Sequence, residues 1–153
     1  WDEVKDRVHS KVVNISSKSL GVIALDGDHE EKTFQLVKID DPVPVEVTQE
    51  FATVSDGQDR VDLHCRESTR PEDQIEVHES KEIGDAVLEF RSALPAGSPV
   101  SITLKLRPDG LLEVHGRDLT TGGEVHATFQ TDSVLTQEVV EEAKSHVAAL
   151  RIS

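Results

Sequence analysis

From about Asn14 to Gln130 the apolar residues return at every second position, run after run, and a period of two is the period of a β-strand. Arg60-Val61-Asp62-Leu63-His64-Cys65-Arg66 alternates strictly and puts Val61, Leu63 and Cys65 on one face. Val100, Ile102, Leu104 and Leu106 do the same, then Leu112, Val114 and Gly116, then Val125, Ala127 and Phe129. Turn-forming residues separate the runs: Asp26-Gly27-Asp28, Ser55-Asp56-Gly57, Pro108-Asp109-Gly110 and Thr121-Gly122-Gly123. Pro108-Asp109-Gly110 between two alternating runs is a strong hairpin signal. Many short strands with regular turns predict a mainly β fold, a two-layer antiparallel β-sandwich.

Both ends depart from this pattern. Residues 1–13 are charged and mixed, and read as a linker. After Thr131 the spacing lengthens: Leu135, Val139, Ala143, Val147 and Leu150 recur every three or four residues, one face of a helix. Thr136 is placed to cap that helix, with Gln137 and Glu138 in its first turn. The expected order is therefore a linker (1–13), a β-sandwich (14–131) and one C-terminal α-helix of about four turns (132–153).

The 153 residues suit one domain, large enough to bury roughly two-thirds of its unfolded surface. Sixteen basic against 30 acidic residues leave a net charge of −14. Such a balance argues against nucleic acid, whose phosphates need Lys and Arg, and against an anionic membrane surface. It would steer basic ligands inward, though it also serves simply to keep a chain soluble. The single cysteine, Cys65, excludes an internal disulfide and agrees with a reducing, cytoplasmic setting. No apolar run approaches the roughly 20 residues of a membrane span, and no signal segment opens the chain. A start at Trp1 and the lack of any methionine suggest a piece of a longer protein.

Residues able to do chemistry are present but not assembled by spacing. None of the seven histidines pairs with another at a zinc spacing, so no metal site is expected. Asp26-Gly27-Asp28 lacks the later ligands of a calcium loop and reads as a hairpin tip. Cys65 shares a strand face with Val61 and Leu63, which marks a packed core thiol rather than a nucleophile. No Gly-x-Ser-x-Gly elbow and no phosphate-cradling glycine loop occurs. The expectation is no enzyme activity, no catalytic residues and no cofactor in this stretch.

Three segments, in order, carry a resemblance. They are Asn14-Ile15-Ser16-Ser17-Lys18-Ser19-Leu20-Gly21-Val22; Pro42-Val43-Pro44 with Phe51-Ala52-Thr53-Val54-Ser55-Asp56-Gly57-Gln58 and Val61-Asp62-Leu63-His64; and Pro99-Val100-Ser101-Ile102-Thr103-Leu104 with Asp109-Gly110-Leu111-Leu112-Glu113-Val114, Arg117-Asp118 and Thr121-Gly122. Together they resemble the peptide-binding domain of the seventy-kilodalton heat-shock chaperones over about residues 12–150. The resemblance implies an eight-stranded sandwich with loops at one end that cradle an extended peptide, followed by a helical lid that begins at 132–153. It implies a pocket for one aliphatic side chain lined by Val22, Phe51, Val61, Leu63 and Val100, supported by Leu20. Leu25 and Val54 would arch over the peptide, and backbone near Leu25, Ala52 and Gln58 would bond its main chain. Patterning alone fits the same five pocket residues to ordinary sandwich core.

The resemblance further implies a stress-response chaperone that binds extended client polypeptides, driven by ATP and magnesium in an ATPase domain absent from this stretch. Its own ATPase domain and co-chaperones would be partners. Self-association through the C-terminal helix or tail is a further expectation, because a groove built for apolar residues accepts a neighbour's tail. Departures keep a second reading open, a degenerate lidless relative serving as a docking or scaffold module. Lys11 interrupts the apolar linker Ser10-Lys11-Val12-Val13-Asn14. Arg66-Glu67-Ser68-Thr69 replaces the family's Gln-Gly-Glu turn. One residue is missing between Pro99 and Val100, which would shift Val100. Asp56 would be this side of a lid-to-loop salt bridge.

Overall fold

The alternating runs become antiparallel strands. The structure, a computed structural model, describes residues 8–142, with side chains from 11 to 138. In chain order the strands are β1 (Val8–Ser16), β2 (Ser19–Leu25), β3 (Glu31–Val37), β4 (Val45–Ala52), β5 (Gln58–Ser68), β6 (Gln74–Glu76), β7 (Lys81–Leu94), β8 (Pro99–Leu106), β9 (Leu111–Asp118), β10 (Glu124–Gln130) and β11 (Val134–Glu142). A 3-10 turn at Val77–Glu79 joins β6 to β7.

Three antiparallel sheets result: a five-stranded sheet ordered β6-β3-β2-β5-β7, a four-stranded sheet ordered β10-β9-β8-β4, and a ribbon of β1 with β11. The two larger sheets share one apolar cluster. Leu20, Val22, Leu63, Cys65 and Leu88 come from one sheet, and Val100, Ile102, Leu104, Leu106, Leu112 and Val114 from the other. In β8 the burial alternates residue by residue without a break, as a strand with one face in a core requires.

The hairpin tips use the residues the sequence supplies. The β8–β9 turn closes through the Gly110 N–H to the Arg107 carbonyl at 2.9 Å, and Gly110 takes φ 86°, open to glycine at little cost. The β2–β3 tip is held by Asp26, whose Oδ1 accepts from the Asp28 and Glu30 N–H groups at 2.8 and 3.0 Å. Gly21 is required for a different reason. A Cβ there would lie 2.0 Å from the Phe34 carbonyl oxygen, at the irregularity in the β2–β3 register between Leu20 and Gly21.

The two ends correct the sequence expectations. No helix forms over Val134–Glu142; that stretch is β11, paired along its length with Val8–Ser16. A spacing of four places Leu135 and Val139 on one face of a strand as readily as on one face of a helix, because four is also a multiple of two. Thr136 caps nothing helical: its hydroxyl donates to Asn14 Oδ1 across the ribbon at 2.8 Å. The same pairing turns Val8–Val13, expected as linker, into most of β1. The rest of the expected helix and residues 1–7 lie outside the described residues. Among the described residues no helix is long and apolar enough to cross a membrane.

Candidate functional site

An apolar cavity opens where two neighbouring strands part. β2 pairs with β5 only from Ser19 to Val22, opposite Ser68 to Cys65. Beyond Val22 it stays paired with β3 out to Leu25 but not with β5. In an antiparallel ladder, alternate residues direct their N–H and C=O to each side. The Ile23–Leu25 stretch therefore presents main-chain groups to a gap rather than to a strand. β5 turns away towards β7, and its register there is irregular between Gln58 and Arg60 and between Cys65 and Arg66.

The gap leads into a cavity of about 230 Å³. That is smaller than the roughly 300–1,000 Å³ of pockets for drug-sized ligands. Val22 and the stretch to Leu25 line it from β2, Phe51 and Ala52 from β4, Val61 to His64 from β5, and Val100 and Ile102 from β8. Val54 from the β4–β5 loop and Gln58 at the start of β5 close one side, and Glu31 adds a carboxylate. Val22, Leu63 and Val100 are nearly inaccessible at 2%, 4% and 3% exposure and form the floor. Val54 is 54% exposed and stands at the rim.

Nine of the ten residues singled out in the sequence thus meet at one cavity. Leu20 is the exception: it is fully buried in the shared core and does not line the cavity. Val100 lines the cavity opposite Phe51, its direct cross-strand partner in the β4–β8 register. Phe51 is itself braced by an edge-to-face contact with Phe34, ring centroids 5.8 Å apart. Ile23, Ala24, Glu31, Asp62, His64 and Ile102 complete the lining and were not singled out. Ile102 continues the alternation of Val100 and was within reach of the pattern; the others line the cavity because the strands part.

Side-chain bonds hold the rim. Gln58 Oε1 accepts from the Val54 and Ser55 N–H groups at 3.0 and 3.3 Å, and its Nε2 donates to the Arg60 carbonyl at 3.0 Å. Asp56 Oδ1 accepts from the Ala96 N–H at 2.9 Å, tying the β4–β5 loop to the β7–β8 loop. The buried Thr53 completes that tie, its Oγ1 accepting from the Ser98 N–H at 2.9 Å. Gly57 reverses the chain with φ 78°. The remodelled Arg66–Thr69 stretch lies away from the cavity, where the Arg66 guanidinium donates to the Ser80 carbonyl at 2.7 Å.

The cavity's chemistry is apolar below and acidic above. His64 Nδ1 lies 2.8 Å from Asp85 Oδ1. Asp62 and Glu31 are exposed at the mouth, and the Asp26 carboxyl is held below its usual range by the Glu30 N–H at the tip of β2–β3. Cys65 sits behind the floor, and burial together with Asp85 pushes its thiol up to about 12. It is a core thiol with no nucleophilic character.

Comparison with known proteins places the chain in a family. The family model described as Hsp70 protein matches residues 4–150. The chain is similar to the chaperone protein DnaK of Methanothermobacter thermautotrophicus, 29% identical over 149 residues, which cover 94% of this chain and 23% of that protein. It is similar also to the chaperone protein DnaK of Mycoplasmoides gallisepticum, 31% identical over 107 residues, covering 69% of this chain and 17% of that protein. The chain therefore spans less than a quarter of the length of these curated relatives. With nearly its whole length matched, this chain belongs to the Hsp70 family.

Proposed function

We propose that this chain is the peptide-binding part of an Hsp70-type chaperone and grips extended, apolar segments of client polypeptides in the cavity between β2, β4, β5 and β8. The observation that carries the reading is the convergence of Val22, Phe51, Val61, Leu63 and Val100 on one open cavity beside unpaired main chain. An extended peptide offers N–H and C=O groups along its whole length, so backbone bonding recognises it without regard to sequence. The cavity then selects one aliphatic side chain. Burying a leucine side chain supplies about 1.5–3 kcal/mol, whereas micromolar binding needs about 8 kcal/mol. Main-chain bonds at Ile23–Leu25 and Ala52, and cover from Leu25 and Val54, supply the remainder.

Asp62, Glu31 and the acidic β2–β3 tip favour peptides with basic flanks. The two-sheet core supports the sandwich arrangement of a peptide-binding domain. ATP and magnesium act in the remainder of the longer protein, which would couple nucleotide state to peptide release. Client proteins, that ATPase part and co-chaperones are the partners this reading supplies, in a cytoplasmic setting. The scaffold alternative needs a groove filled or distorted, and the open 230 Å³ cavity counts against a filled one.

The test is a fluorescence-anisotropy titration with a labelled, leucine-centred heptapeptide flanked by lysine or arginine. Saturable binding in the micromolar to sub-millimolar range supports the reading, and no binding at millimolar peptide overturns it.

A further inference from the structure

Outside the cavity lining, the four-stranded sheet carries two imidazoles that chain spacing hides. His115 on β9 and His126 on β10 are direct partners in the antiparallel register. Their rings stack with centroids 4.1 Å apart and planes 9° from parallel. Glu124 lies two residues before His126 on the same face, and its Oε1 is 3.6 Å from His115 Nε2. One ligand atom from each of the three residues falls within 4.8 Å of the others.

The decisive detail is His115 Nε2. It is shut off from solvent and has no hydrogen-bond partner. The Glu124 oxygen at 3.6 Å is too far to serve as one. Unsatisfied buried polar atoms are rare in folded proteins, and each asks for an explanation. The surroundings are mixed in charge: Glu46, Lys105 and Glu113 line the same shallow pocket. Arg117 Nε lies 3.9 Å from the Glu124 oxygen. Three carboxylates against two cations leave the patch net acidic.

We propose that His115, His126 and Glu124 form a surface site for a borderline transition-metal cation, zinc being the natural occupant and nickel or copper(II) close substitutes. Two imidazole nitrogens and one carboxylate oxygen are the donor set such ions accept, with water in the remaining position. Calcium and magnesium, which take oxygen ligands, are excluded by the two nitrogens. A tetrahedral ion with ligands at about 2.0–2.2 Å sets them about 3.3–3.6 Å apart. Because an imidazole nitrogen donates in its ring plane, the two rings must turn out of their near-parallel stack to share an ion, a change of side-chain rotamer that leaves the strand register intact. The ion would satisfy His115 Nε2 and clip β10, an edge strand of this sheet, to β9. This site is independent of the peptide reading.

The experiment is a calorimetric titration of untagged protein with zinc chloride at neutral pH, read beside thermal melting and histidine ring NMR. One zinc is expected to bind per chain, to raise Tm, and to move the ring signals of His115 and His126 among the seven histidines. His126→Ala, at an exposed position, should fold normally, weaken zinc at least tenfold and abolish the Tm rise; Glu124→Gln should weaken it less. Calcium chloride should raise nothing. The proposal is overturned if wild-type protein binds no zinc at roughly millimolar concentration, or if His126→Ala binds it as tightly as wild type.

Discussion

Val61→Phe separates the cavity from the rest of the binding surface. Val61 is half-buried, lines the cavity from β5 and pairs with Leu88 of β7. A phenyl ring at this position fills space that a peptide's leucine would take, while Val22, Leu63 and Val100 keep the floor intact. The strand register needs no change, because β5 and β7 pair through their main chains. The loss is then the burial of one leucine side chain, about 1.5–3 kcal/mol. At about 1.4 kcal/mol per decade that is roughly 10- to 150-fold in Kd. The informative assay compares two peptides identical but for leucine or alanine at the centre. Wild-type protein should prefer leucine by this factor, and Val61→Phe should erase the preference while melting within a few degrees of wild type. A variant that melts normally and still prefers leucine by more than about tenfold would refute the assignment of the pocket.

Three further outcomes follow from the geometry. Gln58→Ala removes the two bonds that hold Val54 and Ser55 at the rim; at about 1 kcal/mol per net hydrogen bond, peptide dissociation measured by competition should quicken by up to about 30-fold, and an unchanged rate would show that the rim is held by other bonds. Gly21→Ala forces a Cβ against the Phe34 carbonyl and should destabilise by about 1–3 kcal/mol in urea melts, with a cost under about 0.5 kcal/mol contradicting the close approach. Cys65 should resist thiol reagents at pH 8 until the chain unfolds, and rapid native labelling would place it outside the core. Because its folded thiol titrates at about 12, above the ordinary value of about 8.5, its contribution to stability is complete below that ordinary value. It is lost as pH climbs towards 12, and Cys65→Ala should flatten this part of the alkaline slope.

The strands were legible because one face of each strand is buried and the period of two survives in the residues, whereas the cavity residues were reached only through the family resemblance. Val61, Leu63 and Cys65 could be placed on one face from their spacing, and Pro108-Asp109-Gly110 could be read as a turn from φ preferences alone. Two things could not be read locally. Whether Leu135 and Val139 belong to a helix or a strand depends on the partner, and the partner is Val8–Ser16 at the other end of the chain. That β2 leaves β5 after Val22 is likewise a matter of register between distant segments. Patterning therefore could not tell a cavity wall from ordinary core at Val22 or Leu63. The His115–His126 pair was hidden for the same reason, since strand pairing, not chain spacing, brings the rings together.

The most direct measurement is an intermolecular NOE experiment on the chain bound to a leucine-centred peptide with labelled leucine methyls. The account predicts contacts from those methyls to Val22, Val61, Leu63 and Val100, with amide shifts along Ile23–Leu25 and Ala52. Methyl contacts confined to the β1–β11 ribbon or to the outer face of β9 and β10, with these residues silent, would contradict it.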